Sequence, residues 1–457
     1  MAQDLLLFTD ENIVEQLKTA PFTLGYYTLR FYTEGGKPVK KVTGTVSEFY
    51  LYPSGGTLRD SNFDLVFYDS RFDTYRGFVP PHTQSPPFLR GDEPLAPYTS
   101  IGLGGPARLF ASCTSKDELR TALGYAASAG IPVQVFAGGS NIIFADEGFD
   151  GMVVKVDLRG VTTDEGPEQI VLAAGAGEPW DPLVAGAVSR GWGGIECLSG
   201  IPGTVGATPV QNVGAYGQDV SETIVDVCAI DRTTLADVTF TGKECAFDYR
   251  RSRFKGEDKD RFIITAVRFS LRPDAGPDIR YPELQRAIAE GNSPAPLRAG
   301  AEALAAVRGT VIALRRKKSM VIDPADEDSR SVGSFFTNPV VSDAEFLRIR
   351  ERCTAMIGGT AMIGGTAPPP PSFPAPGGVK IPAAWLVEKA GYPKGFRRGA
   401  VGISANHSLA LVNRGSGGGA RELLALAEEI RRGVSERFGI LLAFEPEVVP
   451  YTRRQDL

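Results

Sequence analysis

At 457 residues, 42% hydrophobic and 23% charged, the chain has the composition of an ordinary globular protein with room for two to four domains. A net charge of −5 argues against nucleic acid as the main partner, because such a partner calls for a basic face. Five cysteines (Cys113, Cys197, Cys228, Cys245 and Cys353) with no CxxC read as reduced thiols, and two histidines, His82 and His407, exclude a His-rich metal site and leave a Ser-His-Asp triad little to draw on.

The opening "MAQDLLLFTDEN" turns charged after four apolar residues, unlike a signal peptide, and no apolar run approaches membrane-spanning length. Residues 1–78 read as a small α+β unit. "TDENIVEQLK" predicts a short helix capped by Thr9 or Asp10, and "YYTLRFYT", "TVSEFYLY" and "FDLVFYD" predict three aromatic-rich strands. Residues 79–97 hold six prolines and read as a linker. From about 98 the character changes. "SKDELRTALGYAASAG" is a well-signalled helix, with Ser115 as cap, Glu118 in a capping box and Gly130 as stop.

Strands follow in "IPVQVFA", "NIIFAD", "MVVKVDL" and "QIVLAAGAG". A helix opened by Asp181-Pro182 closes at Gly191, and strands resume at 223–230 and 261–271. A third unit begins near 276. "YPELQRAIAEG" and "GAEALAAVRGTVIALRRKKS" are helical, the second ending in cations that suit a helix C-terminus. "TAMIGG" occurs twice in tandem before Pro368–Pro371, and residues 354–378 read as a flexible surface insertion. "WLVEKAGY", "HSLALVN", a long helix near 419–437 and the strand "LLAFEPEVV" finish the chain.

Several stretches carry chemistry. "FAGGSN", 136–141, runs a strand into a glycine turn whose backbone N–H groups can form a nest for phosphate oxygens. "GLGGPA", 102–107, matches G-x-G-x-x-A but follows no clear strand, so a Rossmann fingerprint is not expected. "GIPGTVGATPVQNVGAYG", 200–217, is too long for a passive connection. Three glycine turns in one region suggest an extended anion such as a dinucleotide diphosphate. "YRRSRFK", 249–255, read as a strand, puts Arg251, Arg253 and Lys255 on one face and Arg250, Ser252 and Phe254 on the other. If the second face is inward, Arg250 needs an anion. The cations of "LRRKKS" either satisfy the helix dipole or reach a diphosphate. Glu445 and Glu447 flank Pro446 on one strand face, either blunting an edge or serving a site. His407 reads as a satisfied structural histidine. In "RSVGSFFTNPVV", 330–341, Ser334 follows a glycine and precedes two phenylalanines: a buried strand with a turn at Asn338-Pro339, or a hydroxyl in an apolar pocket.

Together "YTSIGLGGPA", "VFAGGSNIIFADEGFDG", "GIPGTVGATPVQNVGAYG", "YRRSRFK", "GSFFTNPVV" and the "EPEVV" end resemble the UDP-N-acetylenolpyruvoylglucosamine reductases (MurB), flavoenzymes of cell-wall precursor synthesis. The resemblance covers about 97 to 450, and "RYPEL" looks like the tyrosine loop of the family's longer subtype. It implies an α+β fold: a two-part FAD-binding module (vanillyl-alcohol-oxidase/PCMH-like) at 97–275, a substrate-binding α+β domain at 276–440, and a terminal strand and tail at 441–457. Residues 1–96 have no counterpart in it and stand as an interaction or regulatory module for an unknown partner, or a remnant.

The resemblance further implies that NADPH reduces the enolpyruvyl double bond of a UDP-sugar through FAD, in peptidoglycan precursor synthesis in the cytoplasm, with no nucleic acid, membrane or metal involved. Gly138, Gly139, Ser140 and Asn141 would hold the FAD pyrophosphate, with Gly203, Gln211, Asn212 and Gly214 around the cofactor. Ser334 would protonate the carbanion, Arg250 and a C-terminal glutamate would stabilise it, and Tyr281, Lys318 and Asn338 would contact the UDP-sugar. Arg315 and Lys318 match the family's R-x-x-K spacing. For the glutamate, counting from Phe438 favours Glu445 and matching the "EPEV" string favours Glu447; Glu445 is the choice. The rival readings are a flavin oxidase of the same superfamily, which often tethers flavin through a histidine that neither His82 nor His407 supplies, and a nonenzymatic flavin-binding protein.

Overall fold

The computed structural model describes residues 86–290, 299–357, 370–415 and 417–449, together with the backbone of five strands between 28 and 78. Those strands, Thr28–Tyr32, Pro38–Thr43, Glu48–Pro53, Phe63–Asp69 and Thr74–Phe78, form one sheet. Its order is 38–43, 28–32, 48–53, 63–69, 74–78, with 28–32 parallel to 48–53 and the other pairs antiparallel. The three strands expected from aromatic alternation are present. The two missed ones are the sheet edges, where lysine, proline and glycine weaken the pattern. The helix expected from "TDENIVEQLK" lies outside the described residues, as does the insertion core at 358–369.

The Pro-rich linker ends sooner than its composition suggests. Leu89–Pro94 is already the edge strand of a four-stranded sheet, antiparallel to Pro106–Cys113. Next come Phe149–Val156 and Val133–Phe136, all three parallel. "LFASC" and "MVVKV" are continuous apolar runs because parallel strands are covered on both faces. The helix Lys116–Ser128 covers one face with Leu119, Ala122, Leu123 and Ala126, the three-four spacing of an amphipathic helix. Its cap is as expected on one side only. The Glu118 amide donates to Ser115 Oγ at 3.1 Å, but the Glu118 carboxylate accepts from Thr114 N and Oγ1 rather than closing the box on Ser115.

A second, antiparallel five-stranded sheet has the order 161–165, 170–175, 262–271, 224–231, 237–241. One continuous core joins the two sheets and includes Trp180, Val205, Val227 and Phe269. The helix Ala301–Lys317, expected as the second helix of the third unit, packs back onto this module. Leu304 enters the same core, and Val307, Val311 and Leu314 pack with Cys197. A bidentate pair, Arg308 Nη1 and Nη2 on Asp181 at 2.6 and 2.8 Å, ties it to the helix Trp180–Ser189.

The remaining layer is an antiparallel sheet, 331–334, 410–413, 401–403 and 397–398, covered by Ala420–Phe438. A small hairpin, Phe373–Ala375 with Gly378–Lys380, also pairs Val340–Val341. Ordered structure therefore enters the expected insertion from both ends: the helix Asp343–Ile357 runs into its start and the hairpin occupies its end. The final strand is short, Glu447–Val449, and joins the cofactor module by pairing in parallel with Ile142–Phe144.

Phe269 is fully buried with its ring 5.7 Å from that of Trp180. Phe269→Ala should cost about 3–5 kcal/mol, read as a lower denaturant midpoint with an unchanged m value. A cost under about 1 kcal/mol would show that this pair is not part of the joint core.

Candidate active site

A cleft of about 780 Å³ runs between the two sheets of the first module and the domain that follows. Its floor is the glycine turn after the strand Val133–Phe136. Gly139 has φ +64, and a Cβ there would lie 1.8 Å from the Tyr98 carbonyl oxygen; a Cβ on Gly138 would meet Gly203 Cα at 2.5 Å. Only glycine lets these backbones touch. The amides of Gly138, Gly139, Ser140 and Asn141 donate to no protein acceptor among the described residues, which leaves them for a ligand. Thr204 Oγ1, on the loop that meets Gly138, is buried, lines the same cleft and has no hydrogen-bond partner among the described residues. The backbone cradle and the orphaned hydroxyl fit an anionic cofactor of dinucleotide length.

Of the cofactor residues expected from sequence, Gly138, Gly139, Ser140, Asn141, Gln211 and Gly214 line the cleft. Gly203 and Asn212 are not among its walls. Gly203 backs Gly138 and accepts from Trp180 N at 3.0 Å. Asn212, buried with φ +47, clamps the loop: its amide donates to Asp248 O and its oxygen accepts from Ser221 N. The third glycine turn, 102–107, is also outside. A Cβ on Gly105 would lie 2.2 Å from Asp146 O, so that glycine is required by close packing.

"YRRSRFK" is not a strand. Asp248 and Arg251 bridge across a tight turn with Arg250 at φ +53, an uncommon conformation for a non-glycine residue. Ser252 and Phe254 are buried and Arg250 turns into the cleft, as the inward face required. Lys255, placed by alternation on the outer face, instead also lines the cleft. Arg250 Nη1 donates to Asn212 O at 3.2 Å and Nη2 to Gly214 O at 2.7 Å; Nε lies 3.3 Å from Glu445 Oε1. With Nε facing Glu445, one N–H on each of Nη1 and Nη2 is left without a hydrogen-bond partner among the described residues. Asp219 stands 3.9 Å away.

Glu445, not Glu447, meets Arg250. The Glu445 side chain is 14% exposed; burial raises its proton affinity, opposed by Arg250 and then Lys255. Glu447 lies toward Gln134, Lys259 and Asp260, and burial raises it too. Ser334 ends the strand Ser331–Ser334, one residue before Phe335, whose carbonyl accepts from Glu445 N at 2.9 Å. Ser334 lines the cleft, and its hydroxyl has no partner among the described residues. Gly333 is required by φ +75, since a Cβ would meet only open space. Phe335 and Phe336 are fully buried and pack with Phe444 at ring distances of 5.1 and 5.7 Å.

Asn338 lines the cleft, donates to Tyr249 OH at 3.2 Å and accepts from Ala383 N at 2.8 Å. Tyr281 and Lys318 do not line it. They gather around Tyr216: the Tyr281 ring is 5.6 Å from it and edge-on, Lys318 Nζ is 5.6 Å from its centroid, and Lys318 pairs with Glu283 at 2.8 Å. Arg315 takes the cleft position instead. It is half-buried, donates from Nη2 to Met320 O at 2.8 Å, and its buried Nε has no hydrogen-bond partner among the described residues. Its role was hidden among four consecutive cations, and helical phase alone does not single it out. His407 is outside the walls; its Nδ1 accepts from Leu409 N at 3.1 Å.

A backbone anion cradle that shares one cleft with a guanidinium, a carboxyl and a free hydroxyl is the layout of a nucleotide-cofactor enzyme, and the family comparisons make it a flavin-dependent oxidoreductase. The "FAD binding domain" family matches residues 107–239, and the "UDP-N-acetylenolpyruvoylglucosamine reductase, C-terminal domain" family matches residues 323–449. The chain is 46% identical over 364 residues to the UDP-N-acetylenolpyruvoylglucosamine reductase of Thermobifida fusca, covering 79% of this chain and 97% of that one. With the Streptomyces coelicolor reductase it shares 44% over 385 residues, 83% of this chain and 95% of that one. The chain belongs to the UDP-N-acetylenolpyruvoylglucosamine reductase family. The crystal structure of the Thermus caldophilus reductase shares the fold, with a TM-score of 0.51 at 24% identity over 79% of this chain and 98% of that one.

Gly139→Ala should bring a Cβ onto Tyr98 O and empty the cradle. Flavin absorbance per chain after desalting should fall at least about tenfold, while Gly124→Ala, a helical site with open space around it, should leave it unchanged. Full flavin retention by Gly139→Ala would show that the turn is not the phosphate seat.

Proposed function

We propose that this protein uses NADPH and FAD to reduce UDP-N-acetylglucosamine enolpyruvate to UDP-N-acetylmuramate, as its family membership implies. The observation that carries the reading is the meeting of a half-buried guanidinium, a buried carboxyl and an unpartnered hydroxyl, Arg250, Glu445 and Ser334, in one cleft with a free backbone nest. On this reading residues 97–275 hold the cofactor, 276–440 take the substrate and 441–457 bring Glu445. The reaction belongs in peptidoglycan precursor synthesis, hence in the cytoplasm, and bears on cell shape and division.

Bound FAD supplies the hydride relay from NADPH to the methylene carbon of the enolpyruvyl group. The chain's own residues do the rest. Amides 138–141 receive the pyrophosphate oxygens, with Gln211 and Gly214 beside them and Gly203 and Asn212 holding the loop from behind. Hydride addition leaves negative charge on the carbon bearing the substrate carboxylate, delocalised as an enolate. Arg250 meets that carboxylate with its two remaining donors, fixed in place by the carbonyls of Asn212 and Gly214. Ser334 Oγ gives its proton to the carbon. A serine hydroxyl is a weak acid at neutral pH, yet an enolate carbon is a strong enough base to take its proton when the two are held together. The Phe335, Phe336 and Phe444 cluster keeps water from competing. Asn338 binds the sugar nucleotide within the cleft. Tyr281 and Lys318 contact a ligand long enough to extend past the walls, as a UDP-sugar is.

Ser334→Ala should leave flavin reduction by NADPH near the wild-type rate and slow reoxidation by the enolpyruvyl substrate by about 10²–10⁴-fold, as general-acid loss does. Stopped-flow traces of the two half-reactions separate these. Equal loss in both would remove Ser334 as proton donor.

A further inference from the structure

Lys255 was expected on the outside and is found inside. Its Nζ donates to Gln211 Oε1 at 3.3 Å and to the Glu445 carbonyl at 3.3 Å. Asn141 Nδ2 donates to the same two acceptors, at 3.0 and 3.4 Å. Four separate loops therefore meet in one diamond: the glycine cradle, the long Gly-rich loop, the "YRRSRFK" turn and the terminal segment. The Glu447 amide adds a fifth tie, to Asn141 O at 2.9 Å.

The diamond is redundant in hydrogen bonds, because Asn141 alone already joins Gln211 to Glu445. What Lys255 adds is a charge. A half-buried ammonium costs desolvation, and burial pulls its proton affinity down, opposed chiefly by Glu445. A neutral amide would make the same two bonds without that cost, so the charge has a use where it stands. The groups facing Glu445 are Arg250 and Lys255; Asp219 lies beyond Arg250, and Glu447 and Lys259 lie beyond Lys255.

We propose that Lys255 is a positioning residue for Glu445, tying its main chain to the cofactor loops and placing an ammonium beside the Arg250–Glu445 pair. The inference rests on the role given to Glu445 above. It follows that Lys255 acts on the substrate half of the reaction and not on cofactor binding, which the free amides carry.

The test uses Lys255→Met and Lys255→Arg in the purified holoenzyme. Both should retain flavin and its visible spectrum. In wild type, the pH limb of substrate-driven flavin reoxidation that disappears in Glu445→Gln reports Glu445. Losing a neighbouring cation disfavours the carboxylate, so Lys255→Met should move that limb up by about one pH unit and slow reoxidation at least about tenfold. Lys255→Arg should return the limb toward its wild-type place. In the Glu445→Gln background, adding Lys255→Met should cost nothing further. An unmoved limb, an arginine variant as displaced as the methionine one, or undiminished loss in the Glu445→Gln background would overturn the proposal. Flavin loss in Lys255→Met that persists in Lys255→Gln, neutral but still a donor, would also overturn the proposal, since it would place Lys255 in cofactor binding; flavin loss confined to the methionine variant moves the same pH and rate criteria to Lys255→Gln. Wild-type protein that leaves the enolpyruvyl substrate unreduced would sink the reading itself; wild-type turnover with an unmoved limb would sink only this inference.

Discussion

The site depends on a seven-residue segment held on both sides. Residues 443–449 are hydrogen-bonded to the 335–337 segment of the second domain through Thr337 N to Ala443 O at 3.1 Å and Glu445 N to Phe335 O at 2.9 Å. Two residues on, the Glu447 amide donates to Asn141 O, and 447–449 continues as a strand against 142–144. The chain thus crosses from one domain to the other between Glu445 and Glu447. Pro446 sits at the crossing, where its missing N–H interrupts no ladder. Glu445 is fixed where the two domains meet because its neighbours on either side are fixed.

Electrostatics follow from that crossing. A carboxyl this buried is tolerated because Arg250 and Lys255 face it, and each of those cations is itself held by backbone carbonyls. The carbonyls orient the guanidinium, its Nε edge faces Glu445, and one N–H on each Nη stays open to an anion. The adjoining glycine turn offers its backbone amides, which suits a phosphate.

Much of this was legible in the sequence because it rests on backbone demands. Gly138, Gly139 and Gly333 mark turns that other residues fit poorly, and the apolar runs mark Val133–Phe136 and Phe149–Val156 as strands but show neither their parallel pairing nor the strand Pro106–Cys113. Alternation groups Arg250 with Ser252 and Phe254, a face that need only turn inward to bury all three, although the assumed strand is a tight turn. The same assumption misplaced Lys255, because period-two alternation fails once the chain turns at Arg250. Arg315 was obscured by the run of cations after it: Lys318 leaves the helix as its cap, so phase within the helix does not say which cation faces the cleft. Thr204 gave no signal, since a lone threonine in a Gly-rich loop is recognisable only by its unpaired buried hydroxyl. Gly203 and Asn212 were in the right loop but one layer back, a distinction that spacing does not encode.

The central claim is that this cleft reduces an enolpyruvyl ether at the expense of NADPH. It is tested most directly by following NADPH oxidation by the purified, flavin-loaded protein with and without UDP-N-acetylglucosamine enolpyruvate. The account predicts oxidation that depends on that substrate and yields one UDP-N-acetylmuramate per NADPH consumed. Oxidation that proceeds equally without the substrate, or none with it, would contradict the account.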